Sequence, residues 1–237
     1  MAINGRQVVA VVPARGGSKG VIGKNMRRVN RYPLIWYTLQ AALGSKYIDE
    51  VFISSDDEET LLFGKKTGVT TICRPKEFST DRASAGIVVE HFLSTIPELL
   101  KSQDPYIVYL QPTSPLRTAI HIDDALSQMT EVGLERLLSV TAMCKTPFKA
   151  FVLDGQGLLQ SLFDEKMTNE RRQALPLTYL PNGAIYVFPS SDFVEKKAFP
   201  SNGSYPYIMT EKDSLDIDTE DDLISFAELL AAENNEA

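Results

Sequence analysis

Apolar residues recur along this chain at two spacings, and the switches between them divide it into alternating strands and helices. Val8-Val9-Ala10-Val11-Val12 is apolar at every position, the pattern of a strand covered on both faces, as in a parallel sheet. Pro33 then opens a helix running to about Leu43, with Gly44 as its stop signal. Glu50 to Ser54 is a second strand, Asp56 or Asp57 caps a helix through Lys66 that Gly68 ends, and Val69 to Ile72 is a third strand. A polar loop from Arg74 to Arg82 precedes a helix over about 84–101, whose apolar face comprises Ile87, Phe92, Leu93, Ile96, Leu99 and Leu100. Pro97 predicts a bend or break near its end. Tyr106 to Leu110 is the next strand, and Thr118 is placed to cap a helix starting near Ile120.

From about Glu135 the pattern loosens. Leu137 to Met143 predicts a strand, and Phe148 to Leu153 and Leu158 to Phe163 flank Asp154-Gly155-Gln156-Gly157, a hairpin turn signal. This predicts an excursion from the main sheet at about 145–180, continued by the charged segment Asp164 to Pro176. An arm of this kind suits packing on a second subunit. Pro181-Asn182-Gly183 predicts a turn into a return strand, Ala184 to Phe188, with Tyr207 to Met209 a further short strand. The last helix is expected from Leu223 to about Ala232, and the polar tail from Glu233 to Ala237 reads as disordered. Serial strand–helix units indicate an α/β fold, taken as a single domain over residues 1–237.

Composition changes this picture little. The chain has 237 residues, 43% of them hydrophobic, enough for a full core. Cys73 and Cys144 form no disulfide or zinc pattern and read as buried packing residues in a reducing compartment. No signal-like segment and no bilayer-length apolar run is visible, so a soluble cytoplasmic protein without a membrane partner is expected. His91 and His121 stand alone and are given no role at the site.

Charge changes it more. Arg6, Arg15, Lys19, Lys24, Arg27, Arg28, Arg31 and Lys46 all precede Asp49, the first acidic residue, while the whole chain carries a net charge of −7. A basic segment in an acidic protein implies a local field for a small anion and disfavours nucleic acid as a partner. That segment includes Ala14-Arg15-Gly16-Gly17-Ser18-Lys19-Gly20-Val21-Ile22-Gly23-Lys24-Asn25, which follows the first strand. Its four glycines free the backbone for close approach, and its amides and cations suit a polyphosphate. It is neither of two familiar phosphate loops. Ser18 and Asn25 break the Walker pattern, and Arg15 stands where the dinucleotide fingerprint needs its first glycine.

Two further motifs complete a candidate site. Gln111-Pro112-Thr113-Ser114-Pro115-Leu116-Arg117 is a rigid loop rich in donors and acceptors, placed after a strand. Ser214 to Asp222 contains Asp216 and Asp218, two apart, which point the same way if the backbone is extended, with Ile217 facing the core. Two convergent carboxylates suit Mg²⁺. Helix capping explains Asp218 to Asp222 but not Asp216.

Pro13 to Gly20 with Lys24-Asn25, Arg74-Pro75, Gln111 to Arg117, Pro181-Asn182-Gly183-Ala184-Ile185-Tyr186 and Asp216-Ile217-Asp218-Thr219 together closely resemble the N-acylneuraminate cytidylyltransferases, the CMP-sialic acid synthetases, from about Val8 to Leu230. The resemblance implies a Rossmann-like α/β nucleotidyltransferase fold with a mostly parallel sheet and a protruding dimerisation arm. It implies transfer of CMP from CTP to the anomeric hydroxyl of a nonulosonic acid, with Mg²⁺ on Asp216 and Asp218, in a homodimer with a shared site. Residue by residue, it places Arg15, Gly16, Gly17, Ser18, Lys19, Lys24, Asn25, Arg74 and Ser84 at the nucleotide. It also gives Arg15, Lys24, Asp216 and Asp218 the catalytic roles, Gln111 the sugar side, and Lys149 and Arg172 the sugar carboxylate of the neighbouring protomer's site. Leu180 and Ala85 depart from the arginine and serine common in the sialate enzymes, which leaves legionaminate and pseudaminate beside N-acetylneuraminate. The 3-deoxy-manno-octulosonate enzymes spell the first loop differently. A catalytically silent nucleotide-binding module on the same fold is the alternative of another class.

Overall fold

The computed structural model describes residues 3–18, 20–80 and 83–236, without the side chains of Leu99 and 233–236. The strands are β1 (Val8–Pro13), β2 (Arg28–Val29), β3 (Tyr32–Pro33), β4 (Glu50–Ser55), β5 (Thr70–Cys73), β6 (Tyr106–Tyr109), β7 (Leu137–Ala142), β8 (Phe151–Leu153), β9 (Leu159–Ser161), β10 (Tyr179–Pro189) and β11 (Tyr205–Met209). The helices are α1 (Leu34–Gly44), α2 (Glu58–Lys66), α3 (Ala85–Thr95), α4 (Glu98–Ser102), α5 (Ala119–Glu131), α6 (Glu165–Asn169), α7 (Ser190–Lys196) and α8 (Glu220–Glu236). The central sheet runs β11-β7-β10-β6-β1-β4-β5. Only β10 is reversed against its neighbours; every other pairing in that sheet is parallel.

The apolar run of β1 explains its central place. Val8, Ala10 and Val12 pack with α1 and α5 on one face, and Val9 and Val11 pack with α3 and Phe193 of α7 on the other. A strand buried on both faces has no polar side to present, hence its unbroken apolarity. From β1 the chain steps outward through α1 to β4 and through α2 to β5, and α3 and α4 then carry it back to β6 on the other side of β1. That reversal leaves a crevice beyond the carboxyl ends of β1 and β6, the place where open α/β sheets bind ligands. A third apolar cluster lies beside this crevice. It joins Val21 of the glycine loop, Leu34, Leu116, Ile217 and Phe226 of α8, so the three sequence motifs share one support.

Local chemistry sets the boundaries. Asp57 caps α2 by accepting the Thr60 amide, and Thr118 caps α5 in a reciprocal box with His121. The helix expected over 84–101 breaks at Ile96-Pro97 into α3 and α4, where proline cannot continue the hydrogen-bond ladder.

Four expectations are corrected. Pro181-Asn182-Gly183 is not a turn: it lies inside β10, where the register against β7 shifts between Pro181 and Tyr186. The positive φ of Gly183, 75°, kinks a continuing strand there. Cys73 and Cys144 are exposed. Cys73 ends the edge strand β5, whose alternation sends Ile72 inward and Cys73 outward. The predicted hairpin strands shrink to three residues each in β8 and β9. The final helix starts earlier, at Glu220, because three acidic residues favour its first turn, and it runs through most of the expected tail to Glu236. No helix among the described residues is long and apolar enough to cross a membrane.

Candidate active site

A cleft of about 420 Å³ opens over the carboxyl ends of β1 and β6. Arg15, Ser18, Lys24, Asn25, Arg74, Ser84, Gln111, Asp216 and Asp218 all line it. The glycine loop is braced by its own side chains: the Asn25 amide nitrogen donates to the Arg15 carbonyl at 2.9 Å, and the Arg15 guanidinium donates to the Thr80 carbonyl at 3.0 Å. Gly23 adopts the left-handed conformation, φ 62°, and starts the short 3-10 turn that directs Lys24 inward.

Lys24 joins the basic loop to the acidic segment. It is buried, and its ammonium donates to the Ile217 carbonyl at 2.6 Å and to Asp218 Oδ1 at 3.0 Å. Gly20 packs so closely on the Asp218 carbonyl that a Cβ would overlap it. Ile217 is fully buried between the two carboxylates, and its amide donates to the Thr113 carbonyl at 2.8 Å. The Asp216 carboxyl sits above the usual carboxylate range. Burial is the main cause, the charges of Asp218 and Asp222 add to it, and a hydrogen bond from Thr113 and the charge of Lys24 oppose it. Asp222 closes the segment from below, accepting the amides of Asp218 and Thr219 at 2.9 and 2.7 Å.

Arg74 forms the opposite wall. Its amide donates to the Ser55 carbonyl at 2.7 Å, its Nε donates to Ser79 Oγ at 2.9 Å, and its side chain is buried. Burial lowers its pKa, Tyr109 and Asp56 favour its charge, and Arg15 opposes it. Ser84 caps α3 at the cleft margin. Gln111 closes the end nearest β10, where its side-chain oxygen occupies the space that a Cβ on Gly183 would need.

Other predicted residues lie elsewhere. Gly16 is turned to the protein, donating its amide to Asp56 Oδ1 at 2.9 Å. Gly17 is not among the lining residues. Lys19 lies outside the described residues. Lys149 and Arg172 sit in the 3-10 turns Pro147–Lys149 and Arg172–Ala174 of the arm and do not line the cleft. The basic segment is also less uniformly aimed than its sequence implies, since Arg6 pairs with Asp104 and Glu135, and Arg27 with Glu220. Of the second motif, Gln111, Pro112 and Thr113 face the cleft while Arg117 turns into the core. There it donates to the Gln111 and Ala184 carbonyls at 3.2 and 2.9 Å, and burial pulls its pKa down to about 9.

Sequence reasoning passed over Tyr109, which lines the cleft floor, and Asn182, whose amide ties β7, β10 and Ser214 together. Tyr109 is buried, and burial holds its hydroxyl well above the ordinary tyrosine range. Its place at the carboxyl end of a predicted central strand was the available signal.

A mostly parallel sheet with a braced basic loop, facing acidic residues across the switch point, defines the α/β nucleotidyltransferase class. The family model described as cytidylyltransferase matches residues 9–182, and the chain belongs to that family. It is 32% identical over 218 residues to an N-acylneuraminate cytidylyltransferase of Streptococcus agalactiae serotype V, covering 91% of this chain and 51% of the relative. The chain thus spans about half the length of that relative. It is also 32% identical over 233 residues to a pseudaminic acid cytidylyltransferase of Campylobacter jejuni subsp. jejuni serotype O:2, covering 97% of this chain and 98% of the relative. Among solved structures, a CMP:2-keto-3-deoxy-manno-octonic acid synthetase complexed with CTP shares the fold, with a TM-score of 0.68 at 18% identity over 96% of this chain and 99% of that one.

Proposed function

We propose that this protein transfers CMP from CTP to the anomeric hydroxyl of a nonulosonic acid and releases pyrophosphate. The observation that carries this reading is the physical joining of the basic loop to the acidic pair through Lys24 and the Gly20 contact. A loop that holds a triphosphate and carboxylates that hold its cation must be kept in register, and these contacts tie the two segments together.

The donor set fits Mg²⁺. Asp216 and Asp218 supply hard oxygens, and the raised pKa of Asp216 reflects in part the like charge that a divalent cation would relieve. Among the described residues no group of three His, Cys, Asp or Glu gathers, so phosphate oxygens and water would complete the shell. When bound, Mg²⁺ supplies charge neutralisation at the phosphates and acidifies the attacking hydroxyl. The chain's own residues do the remaining work. Arg15 and the loop amides hold the triphosphate, Arg74 and Ser84 border the cytidine, and Gln111 meets the acceptor. Fixing the hydroxyl in line with the α-phosphorus, with pyrophosphate leaving on the far side, supplies the larger part of the acceleration.

The acceptor is read first as N-acetylneuraminate, with legionaminate and pseudaminate as alternatives. The similarity to enzymes named for two different acids supports the class, and Leu180 bears on the choice within it. The functional unit is a cytoplasmic homodimer. Supporting the dimer, Leu153, Leu159 and Leu177 of the arm are 69, 70 and 84% exposed, and an isolated two-stranded ribbon is marginal in water. A second copy covering this arm would bring Lys149 and Arg172 to the partner's acceptor carboxylate. Replacing Leu159 and Leu177 by serine is expected to shift the solution mass to a monomer and to raise the KM for the sugar acid.

The decisive experiment measures pyrophosphate release from purified protein with CTP and Mg²⁺ across a panel of nonulosonic acids. Release is expected only when all three components are present. No release with any acid would leave the silent-module reading in place.

A further inference from the structure

The end of β4 and the residue after it touch both walls of the nucleotide half of the cleft. The Ser54 carbonyl accepts the Ala14 amide at 2.9 Å, the Ser55 carbonyl accepts the Arg74 amide at 2.7 Å, and Asp56 Oδ1 accepts the Gly16 amide at 2.9 Å. Two of these contacts are backbone to backbone and continue the pairing of β4 with β1 and β5 one residue past the ends of those strands. The third is a side-chain contact, and it is unexpected. A carboxylate beneath a loop that holds polyphosphate opposes the ligand's charge, so its presence needs a reason other than attraction. Asp56 does not line the cleft and does not cap α2, since Asp57 does that. Its carboxylate instead spends one oxygen on the first glycine amide of the loop.

We infer that Asp56 is a positioning residue for nucleotide binding: by holding the Gly16 amide inward it fixes the curvature of the loop, so that the later amides and Arg15 face the cleft. The inference rests on the reading of this loop as the triphosphate cradle. The charge of Asp56 also favours the charged form of buried Arg74, so one carboxylate steadies both walls of the nucleotide half. Among the described residues no hydrogen bond or ion pair joins Asp56 to Gln111, Asn182 or the arm, and the acceptor half should not sense its loss.

The test compares Asp56→Ala, Asp56→Asn and Asp57→Ala, reading the KM for CTP, the KM for the sugar acid, kcat, the melting temperature, and the Kd for CTP with Mg²⁺ by equilibrium titration. Asp56→Ala should raise both the KM and the Kd for CTP about tenfold, as expected for one lost charge-assisted hydrogen bond. Its sugar KM and kcat should stay within about twofold. Asp56→Asn keeps an acceptor oxygen and should recover most of the CTP affinity. Asp57→Ala removes the α2 cap and the Thr60 hydroxyl bond but keeps the Cβ that lies under Gly16, and should lower the melting temperature with no change in either KM. If the alanine variant fails to fold, Asp56→Ser, too short to reach Gly16, must show the same CTP-selective loss. An unchanged KM and Kd for CTP, an equal rise in both KM values, or no recovery in the asparagine variant overturns the inference. A wild-type protein that neither binds nor turns over CTP overturns the proposed function instead.

Discussion

At the carboxyl end of the sheet, Asp216 and Asp218 both line the cleft, Asp218 is paired with the buried Lys24, and burial pushes the Asp216 carboxyl above its ordinary range. At the amino end, Asp104 accepts the Ser191 amide at 2.7 Å, both hydroxyls of Ser190 and Ser191 at 3.0 and 2.9 Å, and pairs with Arg6 at 3.2 Å. Burial works against that carboxylate too, but the hydrogen bonds and Arg6 outweigh it, and its pKa is lowered. Arg136 and Lys196 likewise converge on Asp192 nearby. Burial thus leaves the Asp216 carboxyl short of compensation at one end, while hydrogen bonds and Arg6 satisfy Asp104 at the other. Charge left uncompensated in the protein alone marks the end where a ligand completes the balance, and charge already compensated marks the end that holds the fold.

The sharpest way to break this comparison is to neutralise the acidic pair. Asp216→Asn and Asp218→Asn should each lower turnover about a thousandfold or more, the order expected when several kcal/mol of transition-state charge stabilisation is lost. Asp216→Asn should leave the melting temperature of the metal-free protein unchanged or higher. The sign follows from linkage: a carboxyl whose folded pKa is raised is destabilising above that value, so removing its charge relieves the fold. Near-normal CMP-sugar formation in both variants would remove the metal role from these residues. A large fall in the melting temperature of Asp216→Asn would show that this end holds the fold after all.

Gly20→Ala tests whether loop and acidic segment move together. The new methyl meets a backbone carbonyl, which cannot swing aside as a side chain can. One of the two segments must shift by about an ångström, a displacement that costs about a hundredfold in kcat/KM when it misplaces reacting groups. The apparent affinity for Mg²⁺ should fall along with turnover. A variant with wild-type kinetics would mean that the contact is incidental.

The sequence made one end of the molecule far more legible than the other. The apolar run of β1, the Asp57 and Thr118 caps and the break before Pro97 are local signals, and local physics decided them. Cleft residues Arg15, Gln111 and Asp216 were legible because each follows the carboxyl end of a strand or sits in a motif with surplus charge, whereas Arg74 was legible only through the family resemblance. Asp56 was equally well placed but was absorbed by the capping explanation that its neighbour in fact satisfies. Arg117 shows the opposite failure, since a motif arginine looks like a ligand group whether it faces a cleft or two buried carbonyls. Pro181-Asn182-Gly183 carries turn chemistry, yet the pairing of Tyr179 and Leu180 with β7 keeps the strand going through it. Lys149 and Arg172 were assigned through the resemblance alone, and in this chain they lie away from the cleft. The amino-end network was invisible, because Arg6, Asp104, Glu135 and Ser191 are brought together only by the strand order.

The smallest effect belongs to that amino end, and it sharpens the comparison by leaving function alone. Asp104 holds a positive φ of 47°, a conformation that asparagine tolerates well, so Asp104→Asn removes the charge with little change in backbone strain. Losing charge-assisted bonds to two serines and Arg6 should cost about 1–2 kcal/mol. In a protein of this length that lowers the melting temperature by about 2–4 °C per kcal/mol, with turnover per folded molecule unchanged. The cost depends on pH in a fixed direction. Because the folded pKa of Asp104 is depressed, its stabilisation is full above the unfolded value of about 3.9 and is lost as pH falls through the lower folded value. Denaturation of the wild type and Asp104→Asn at pH 7, 5 and 3 should therefore give the same gap at the first two values and a narrower one at the third. A gap that widens with acid would mean that Asp104 is not the satisfied carboxylate its contacts describe, and the contrast between the two ends of the sheet would fail with it.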